Sequence, residues 1–170
     1  YLKAENKYTG VKLKHLEKLR KELYQEMRSR IKEDDNTVPY KYGDYFYYTR
    51  TEKGKQYDIY CRKYLFLHAD EEITLDLNSM AEHHDYLVLD TYKVSPDHQL
   101  LAFAFDTSGA EFFACRIKDL KTGNILDDRL MNLAGPMEWA NDNKTLFYVT
   151  LNDAQRPFQL WRHVLGSDQS

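Results

Sequence analysis

The sequence of 170 residues is poor in cysteine, glycine and proline, and it has no long apolar run. Two cysteines, Cys61 and Cys115, are too few for a disulfide framework or a four-ligand zinc site, so we expect buried free thiols of a reducing compartment. No stretch approaches the roughly 18 apolar residues of a membrane-spanning helix. The first residues are charged where a signal peptide is apolar, so the sequence favours neither membrane insertion nor secretion.

The sequence motifs of common catalytic and binding sites are missing too. A serine hydrolase of the α/β type needs G-x-S-x-G, and none of the six serines lies in that motif. Neither cysteine has the flanking residues of a catalytic thiol, and no glycine-rich phosphate loop is present. The sequence therefore predicts no catalytic residue, no cofactor-binding residue and no metal ligand.

A few polar clusters remain as weak site candidates. Residues 82–85 (EHHD) have the residue types of a metal site. Adjacent side chains diverge, however, and no second ligand group follows at chelating spacing, so we interpret these residues as a polar loop. The acidic pairs at 34–35 and 127–128 are interpreted as solvated turns. The glycosylation sequon at 143–145 (NKT) is predicted to form the turn that enters a strand.

Charge is distributed unevenly along the chain, whose formal net charge is −3. Residues 1–35 carry 10 basic and 7 acidic side chains, whereas the remaining residues carry 14 and 20. The basic end contains no block of like charge, so nucleic acid is a weakly supported partner. Aromatic residues make up 14% of the chain, and packing between sheets explains them better than a stacking platform for nucleic acid.

Residues 11–33 are predicted to form an amphipathic helix, because apolar residues recur there at steps of three and four. Thr9 and Gly10 are a plausible start signal, and the acidic turn at 34–35 with Pro39 ends the pattern. The chain that follows is sheet-like, so the stripe must pack on that sheet or on something outside this chain. The stripe consists of Leu16, Leu19, Leu23, Met27 and Ile31.

After Pro39 the sequence predicts an antiparallel all-β region of about ten short strands with no helix between them. A hairpin turn is predicted at residues 52–55, with Gly54 inside the turn. The predicted strands are Tyr45–Arg50, Tyr57–Lys63, Ile73–Leu77, Tyr86–Val94, Leu100–Phe105, Phe112–Leu120, Asn124–Arg129, Met137–Ala140, Thr145–Leu151 and Phe158–Leu165.

The strands repeat at the spacing of propeller blades. Residues 94–103 align with residues 139–148 at an offset of 45, and residues 43–48 take the same place one unit earlier, at an offset of 55. A unit of about 45 to 55 residues with four strands is typical of β-propellers, which close with typically 4 to 8 blades. The chain is therefore predicted to be mainly β, an N-terminal helix followed by a partial propeller of about two and a half blades. It is either a piece of a longer protein or assembles with copies of itself.

The segment VPYKYGDYFYYTRTEKGKQYDIYCRK, residues 38–63, closely resembles the first blade of the oligopeptidase B peptidases of the prolyl oligopeptidase family. Residues 84–126 resemble the second blade of that family, and residues 139–166 the start of the third. The opening YLKAENKYT and the helix end RIKEDDNTVP are similar to the family's N-terminal segment. One departure concerns the turn usually written SPDG, where His98 takes the last position and needs a left-handed or bridging backbone.

The resemblance implies a cytoplasmic serine endopeptidase that cleaves short peptides after Arg or Lys, with a seven-bladed propeller over an α/β-hydrolase domain. The Ser-Asp-His triad would lie in that domain, beyond these residues, so no catalytic position is assigned here. Residues 1–36 would be a helical segment packed on the hydrolase domain, and residues 37–170 the first propeller blades. The propeller would gate substrate access, with the hydrolase domain and short basic peptides as partners and no cofactor, nucleic acid or membrane. The alternative is a stand-alone propeller-type scaffold that binds a protein partner without hydrolase activity.

Overall fold

The computed structural model describes residues 1–168, which form a helical arm followed by two antiparallel sheets. The last two positions of the predicted β region, 169 and 170, lie outside the described residues. The strands are β1 (Tyr40–Tyr42), β2 (Tyr45–Arg50), β3 (Ile59–Tyr64), β4 (Glu71–Asp76), β5 (Val88–Val94), β6 (Leu100–Asp106), β7 (Phe113–Asp119), β8 (Ile125–Trp139), β9 (Thr145–Leu151) and β10 (Pro157–Val164).

The arm contains two helices where the sequence predicts one. Helix α1 spans Leu2–Leu13 and helix α2 spans Glu17–Ser29, with a 3₁₀ turn at Lys14–Leu16 between them. The predicted start at residues 9 and 10 is wrong, because Thr9 and Gly10 lie inside α1. Periodicity missed α1 because its apolar residues form no stripe, and an interior glycine costs a helix only about 1 kcal/mol. Among the described residues, none in either helix is buried.

The first sheet has the strand order β1-β2-β3-β4 and contains the predicted hairpin. Lys55 N–H donates to the Glu52 carbonyl at 3.0 Å, and Gly54 has φ 81°, so the glycine-containing turn is confirmed. Strand β1 was not predicted because it has only three residues and follows a proline. It pairs with β2 through the turn at Gly43, whose φ is 57°.

The second sheet has the order β5-β6-β7-β8-β9-β10, and β8 belongs to two sets of strands. The first part of β8 pairs with β7 and its last part pairs with β9. The two strands predicted at 124–129 and 137–140 are therefore one continuous strand of 15 residues. Gly135, at φ 93°, lies at the register shift between Leu133 and Met137, where the chain bends and strand pairing resumes on the other side.

A short helix, α3 (Leu77–Ala81), interrupts the β region and contradicts the prediction of strands without a helix between them. The carboxylate of Asp76 accepts a hydrogen bond from the backbone N–H of Asn78 at 2.8 Å, which caps the first turn. Leu77, predicted as the end of a strand, begins this helix. It is buried, and it packs with Leu75 and Leu101 in an apolar core.

Two apolar cores hold the sheets together. The first joins β4 and α3 to β6, with Leu101 fully buried and Phe103 nearly so. The second lies on the opposite face of β6 and β7 and extends to β9. Each fully buried Leu, Ile, Phe or Met side chain stabilises the fold by about 1.5 to 3 kcal/mol. The second core contains Ala102, Ala104, Cys115, Ile117, Leu130, Leu133, Met137, Trp139, Leu146 and Tyr148.

Candidate functional site

The predicted apolar stripe of α2 is uncovered in the structure. Leu19 is 49% exposed, Leu23 46%, Met27 61% and Ile31 67%, and Leu16 is half-buried. The strands after Pro39 supply their own cores and leave this stripe without a partner in residues 1–168. Of the two partners that the sequence left open, the sheets of this chain do not cover the stripe. A stripe of this size, rimmed by charged side chains, has the character of a protein-protein contact surface.

The hydrogen bonds that attach the arm to the first sheet lie at the C-terminal end of the arm. Thr51 Oγ1 donates to the Glu33 carbonyl at 2.7 Å, and Lys53 N–H donates to Asp34 Oδ1 at 2.6 Å. Arg28 Nε donates to Glu33 Oε1 at 2.5 Å, and this hydrogen bond holds the pKa of Glu33 below its usual value. The exposed acidic turn thus anchors the arm.

His98 joins the first sheet to the second. Its Nδ1 lies 2.9 Å from Tyr47 Oη, and its carbonyl accepts from Arg62 Nη1 at 2.6 Å. Arg62 is buried and lies 4.2 Å from the centre of the Tyr45 ring, a cation-π distance. His98 has φ 62°, so the left-handed backbone expected at this turn is confirmed. A Cβ at residue 43 would lie 2.4 Å from His98 Nε2, so any residue larger than Gly43 would displace the His98 ring.

Acid is expected to weaken this contact. Burial and the Arg62 guanidinium lower the pKa of His98, while Asp97 and Asp44 oppose them weakly. A histidine whose pKa is lower in the folded than in the unfolded protein is protonated first in the unfolded chain. Its stabilising effect is present above about pH 6.5 and is lost as the pH falls below that value.

The measurement is the Tm of the wild type and of His98→Asn between pH 5 and pH 8. Asparagine tolerates the left-handed backbone, as Asn143 does at the equivalent turn with φ 58°, but it does not titrate. The wild type should lose more Tm on acidification than the variant does. Identical pH profiles would show that His98 does not carry the effect.

Side-chain hydrogen bonds also join the neighbouring sets of strands in the second sheet. Trp139 Nε1 donates to the Lys93 carbonyl at 2.9 Å, which holds the end of β8 beside β5. Asn143 Oδ1 accepts from Asp97 N–H at 2.9 Å, so one turn contacts the equivalent turn of the preceding repeat. The sequon at 143–145 lies in the turn that enters β9, as the sequence predicts.

A buried histidine-carboxylate pair ties β10 to β8 and corrects one interpretation of the sequence. His163 Nε2 lies 2.7 Å from Asp128 Oδ1, and their side chains are only 3% and 7% exposed. The same oxygen accepts the N–H of Gly166 at 2.7 Å. Asp128 is therefore not part of a solvated turn. No local pattern predicts this pair, because its members lie 35 residues apart.

Neither cysteine is part of a reactive site. Cys61 and Cys115 are buried free thiols, as predicted, and burial raises the pKa of each to about 12. They lie on β3 and β7, the third strands of their repeats. Both should therefore react with a thiol reagent after denaturation without reductant. A mass two hydrogens lower that is lost on reduction would contradict this. No group of three potential metal ligands occurs in residues 1–168, and no helix there is long and apolar enough to span a membrane.

The geometry defines a class of protein. Each repeat is an antiparallel set of strands that begins with a short hairpin containing a left-handed turn, and neighbouring repeats contact each other face to face through the apolar cores. These are the blades of a β-propeller. The chain belongs to the family of the prolyl oligopeptidase N-terminal β-propeller domain, whose model matches residues 1–170.

Known proteins agree with this assignment in both sequence and structure. Protease 2 of Moraxella lacunata is 41% identical over 175 residues, and Dipeptidyl aminopeptidase BI of Pseudoxanthomonas mexicana is 35% identical over 186 residues. These alignments cover 99% and 100% of this chain, but only 25% and 26% of the relatives. The structure of oligopeptidase B from Leishmania major matches 98% of the chain and 24% of its own length, with 35% identity and a TM-score of 0.90. The chain thus spans about a quarter of the length of these relatives.

Proposed function

We propose that this chain is the N-terminal arm and the first propeller blades of an oligopeptidase B-like serine endopeptidase that cleaves short peptides after Arg or Lys. The observation that carries the proposal is the uncovered stripe of α2, which calls for a partner outside residues 1–168. The family assignment and the quarter-length coverage of known peptidases support the same conclusion. Residues 1–36 form the contact segment and residues 37–170 the propeller segment.

In this proposal the two segments act without chemistry of their own. The stripe packs on a C-terminal α/β-hydrolase domain of the same parent chain, which carries the catalytic serine. The propeller covers the catalytic cavity and admits short peptides while it excludes folded proteins, so its contribution is gating. The parent protein acts in the cytoplasm, in keeping with the two buried free thiols.

Two other functions are the alternatives to this proposal. Similarity to Dipeptidyl aminopeptidase BI supports removal of dipeptides from a free N-terminus as the first alternative. A stand-alone propeller-type scaffold would bind a protein partner and hydrolyse nothing. In that case the α2 stripe would receive the partner directly.

Cleavage of paired peptides by the full-length protein separates the three functions. An N-acetylated peptide with one internal Arg should be cut after that residue, and the same peptide with Arg replaced by Leu should remain intact. Release of dipeptides from the free-amine form alone would assign the aminopeptidase activity. No cleavage of either peptide would favour the scaffold. Residues 1–170 alone serve as the control and should be inactive, because they lack G-x-S-x-G.

A further inference from the structure

A groove of about 740 Å³ separates the first blade from the second at the outer strands. Its volume lies within the range of small-ligand and peptide pockets. One wall comes from β4 and α3, and the other from β6, β7 and the start of β8. The floor is apolar: the rings of Phe103 and Phe105 stack at 5.8 Å, and Ile73 and Met80 face them. Both blades are complete at this seam, so missing strands do not create the groove.

Two arginines occupy an unusual position beside the groove. Arg116 of β7 lies in its wall, and Arg129 of β8 is the cross-strand partner of Arg116. Such partners point to the same face of a sheet, and like charges placed directly opposite each other destabilise it. In residues 1–168 neither guanidinium forms a hydrogen bond or an ion pair. An anion bound between them would relieve the repulsion and accept charge-assisted hydrogen bonds.

The opposite wall of the groove, formed by β4, presents backbone N–H and C=O groups that can form hydrogen bonds. Strand β4 is the outer edge of its sheet, so the groups along one side of it pair with no further strand. The Thr74 carbonyl accepts Lys118 Nζ from the second blade at 2.8 Å, which shows that this edge faces the groove. Burial lowers the pKa of Lys118, as expected for an ammonium held against an apolar wall. An extended peptide can pair with such an edge.

We propose that this groove binds the C-terminal end of a peptide whose last side chain is apolar. The terminal carboxylate bonds to Arg116 with support from Arg129, the last side chain lies on Phe103 and Phe105, and the peptide backbone pairs with the edge of β4. This site is separate from the proposed peptidase function and does not depend on it.

The local charges favour an anion over a cation. Asp76 keeps its negative charge, but its carboxylate oxygens already accept hydrogen bonds from Asn78 N–H at 2.8 Å and Ser79 Oγ at 3.3 Å. Asp127 is the one other carboxylate in the lining, and it is exposed to solvent. Arg116, Arg129 and Lys118 carry three positive charges against the two negative charges of Asp76 and Asp127. A fatty acid would satisfy the arginines and the apolar floor, but it has no amide groups for β4, which is why we assign a peptide.

Fluorescence anisotropy with the full-length protein tests the site. The probe is fluorescein-labelled Ala-Val-Ala-Leu-Phe with a free C-terminal carboxylate, compared with the same peptide as its C-terminal amide. The peptide contains no Arg or Lys, and its N-terminus is blocked, so the proposed peptidase activities leave it intact. The acid should bind at least about tenfold more tightly than the amide, the size expected for a charge-assisted hydrogen bond. Arg116→Gln should abolish that difference.

The control is Arg156→Gln, which removes an exposed arginine from the loop between β9 and β10. It should leave the affinity of the acid unchanged. Equal affinity of the wild type for acid and amide would overturn the proposal. Equal losses of affinity for the acid in Arg116→Gln and Arg156→Gln would also overturn it. Binding of decanoate without binding of the peptide acid would replace the peptide by a fatty acid and would also overturn it. Loss of peptide binding after treatment with a serine-directed inhibitor would place the peptide in a catalytic site instead.

Discussion

Leu23→Asp in the full-length protein should lower peptidase activity by at least about tenfold, although Leu23 contacts no substrate in the proposed arrangement. The side chain lies in the middle of the uncovered stripe of α2 and is 46% exposed in this chain. If the stripe packs on the hydrolase domain, the substitution removes about 1.5 to 3 kcal/mol of apolar burial and places an unpaired carboxylate in the contact. The measurement is kcat/KM for an arginyl peptide, together with the susceptibility of the arm to limited proteolysis.

Gln25→Asp is the matched control, because it adds the same charge to α2 two positions further along, away from the stripe. It should retain activity close to that of the wild type. Equal activity of Leu23→Asp and the wild type would mean that the stripe does not support catalysis. The contact-segment role of residues 1–36 would then be wrong, while the β-propeller assignment would stand.

Leu101→Ala should destabilise the propeller by about 2 to 5 kcal/mol, the cost of a large-to-small substitution in a packed core. Leu101 is 0% exposed and lies between the first and second blades with Leu75 and Leu77. The chain offers a control of the same residue type in a complete blade, since Leu67 in the loop between β3 and β4 is 55% exposed. Leu67→Ala should change stability by less than about 0.5 kcal/mol, as surface substitutions usually do.

Urea unfolding of the full-length protein, followed by tryptophan fluorescence, measures both variants. Trp139 is 8% exposed in the second core and reports on the blades directly. Similar losses of unfolding free energy in the two variants would mean that burial at residue 101 does not determine the stability of the blade contact. A loss of stability confined to Leu67→Ala would mean that the loop between β3 and β4 is covered in the full-length protein.

The blade pattern could be predicted from sequence because it depends on local chemistry. Alternating apolar residues and turn residues recur at each repeat, and the turn at Ser95–His98 is followed by the strand that the pattern predicts. Boundaries were less accurate where one residue decides them. Asp76 starts a helix at the end of a predicted strand, and Gly135 lets β8 continue through a predicted break.

The contacts between blades could not be predicted, because they join residues that are far apart in sequence. His163 and Asp128 form a buried pair across 35 positions, and Tyr47 and His98 meet across 51. Within one blade, Arg116 and Arg129 likewise face each other only because of the strand register. Such pairings depend on blade geometry, and no spacing rule along the chain encodes them. The exposed stripe of α2, in contrast, was visible in the sequence as a periodicity without a partner.

The continuity of β8 has a mechanical consequence. A single backbone strand runs from the outside of the second blade into the third, so these two blades cannot part without breaking main-chain pairing. The first and second blades share no strand, and side chains such as His98, Arg62 and Lys118 connect them. Under strain these three blades should therefore separate first at the seam between the first and second, whereas the second and third should move as one rigid unit.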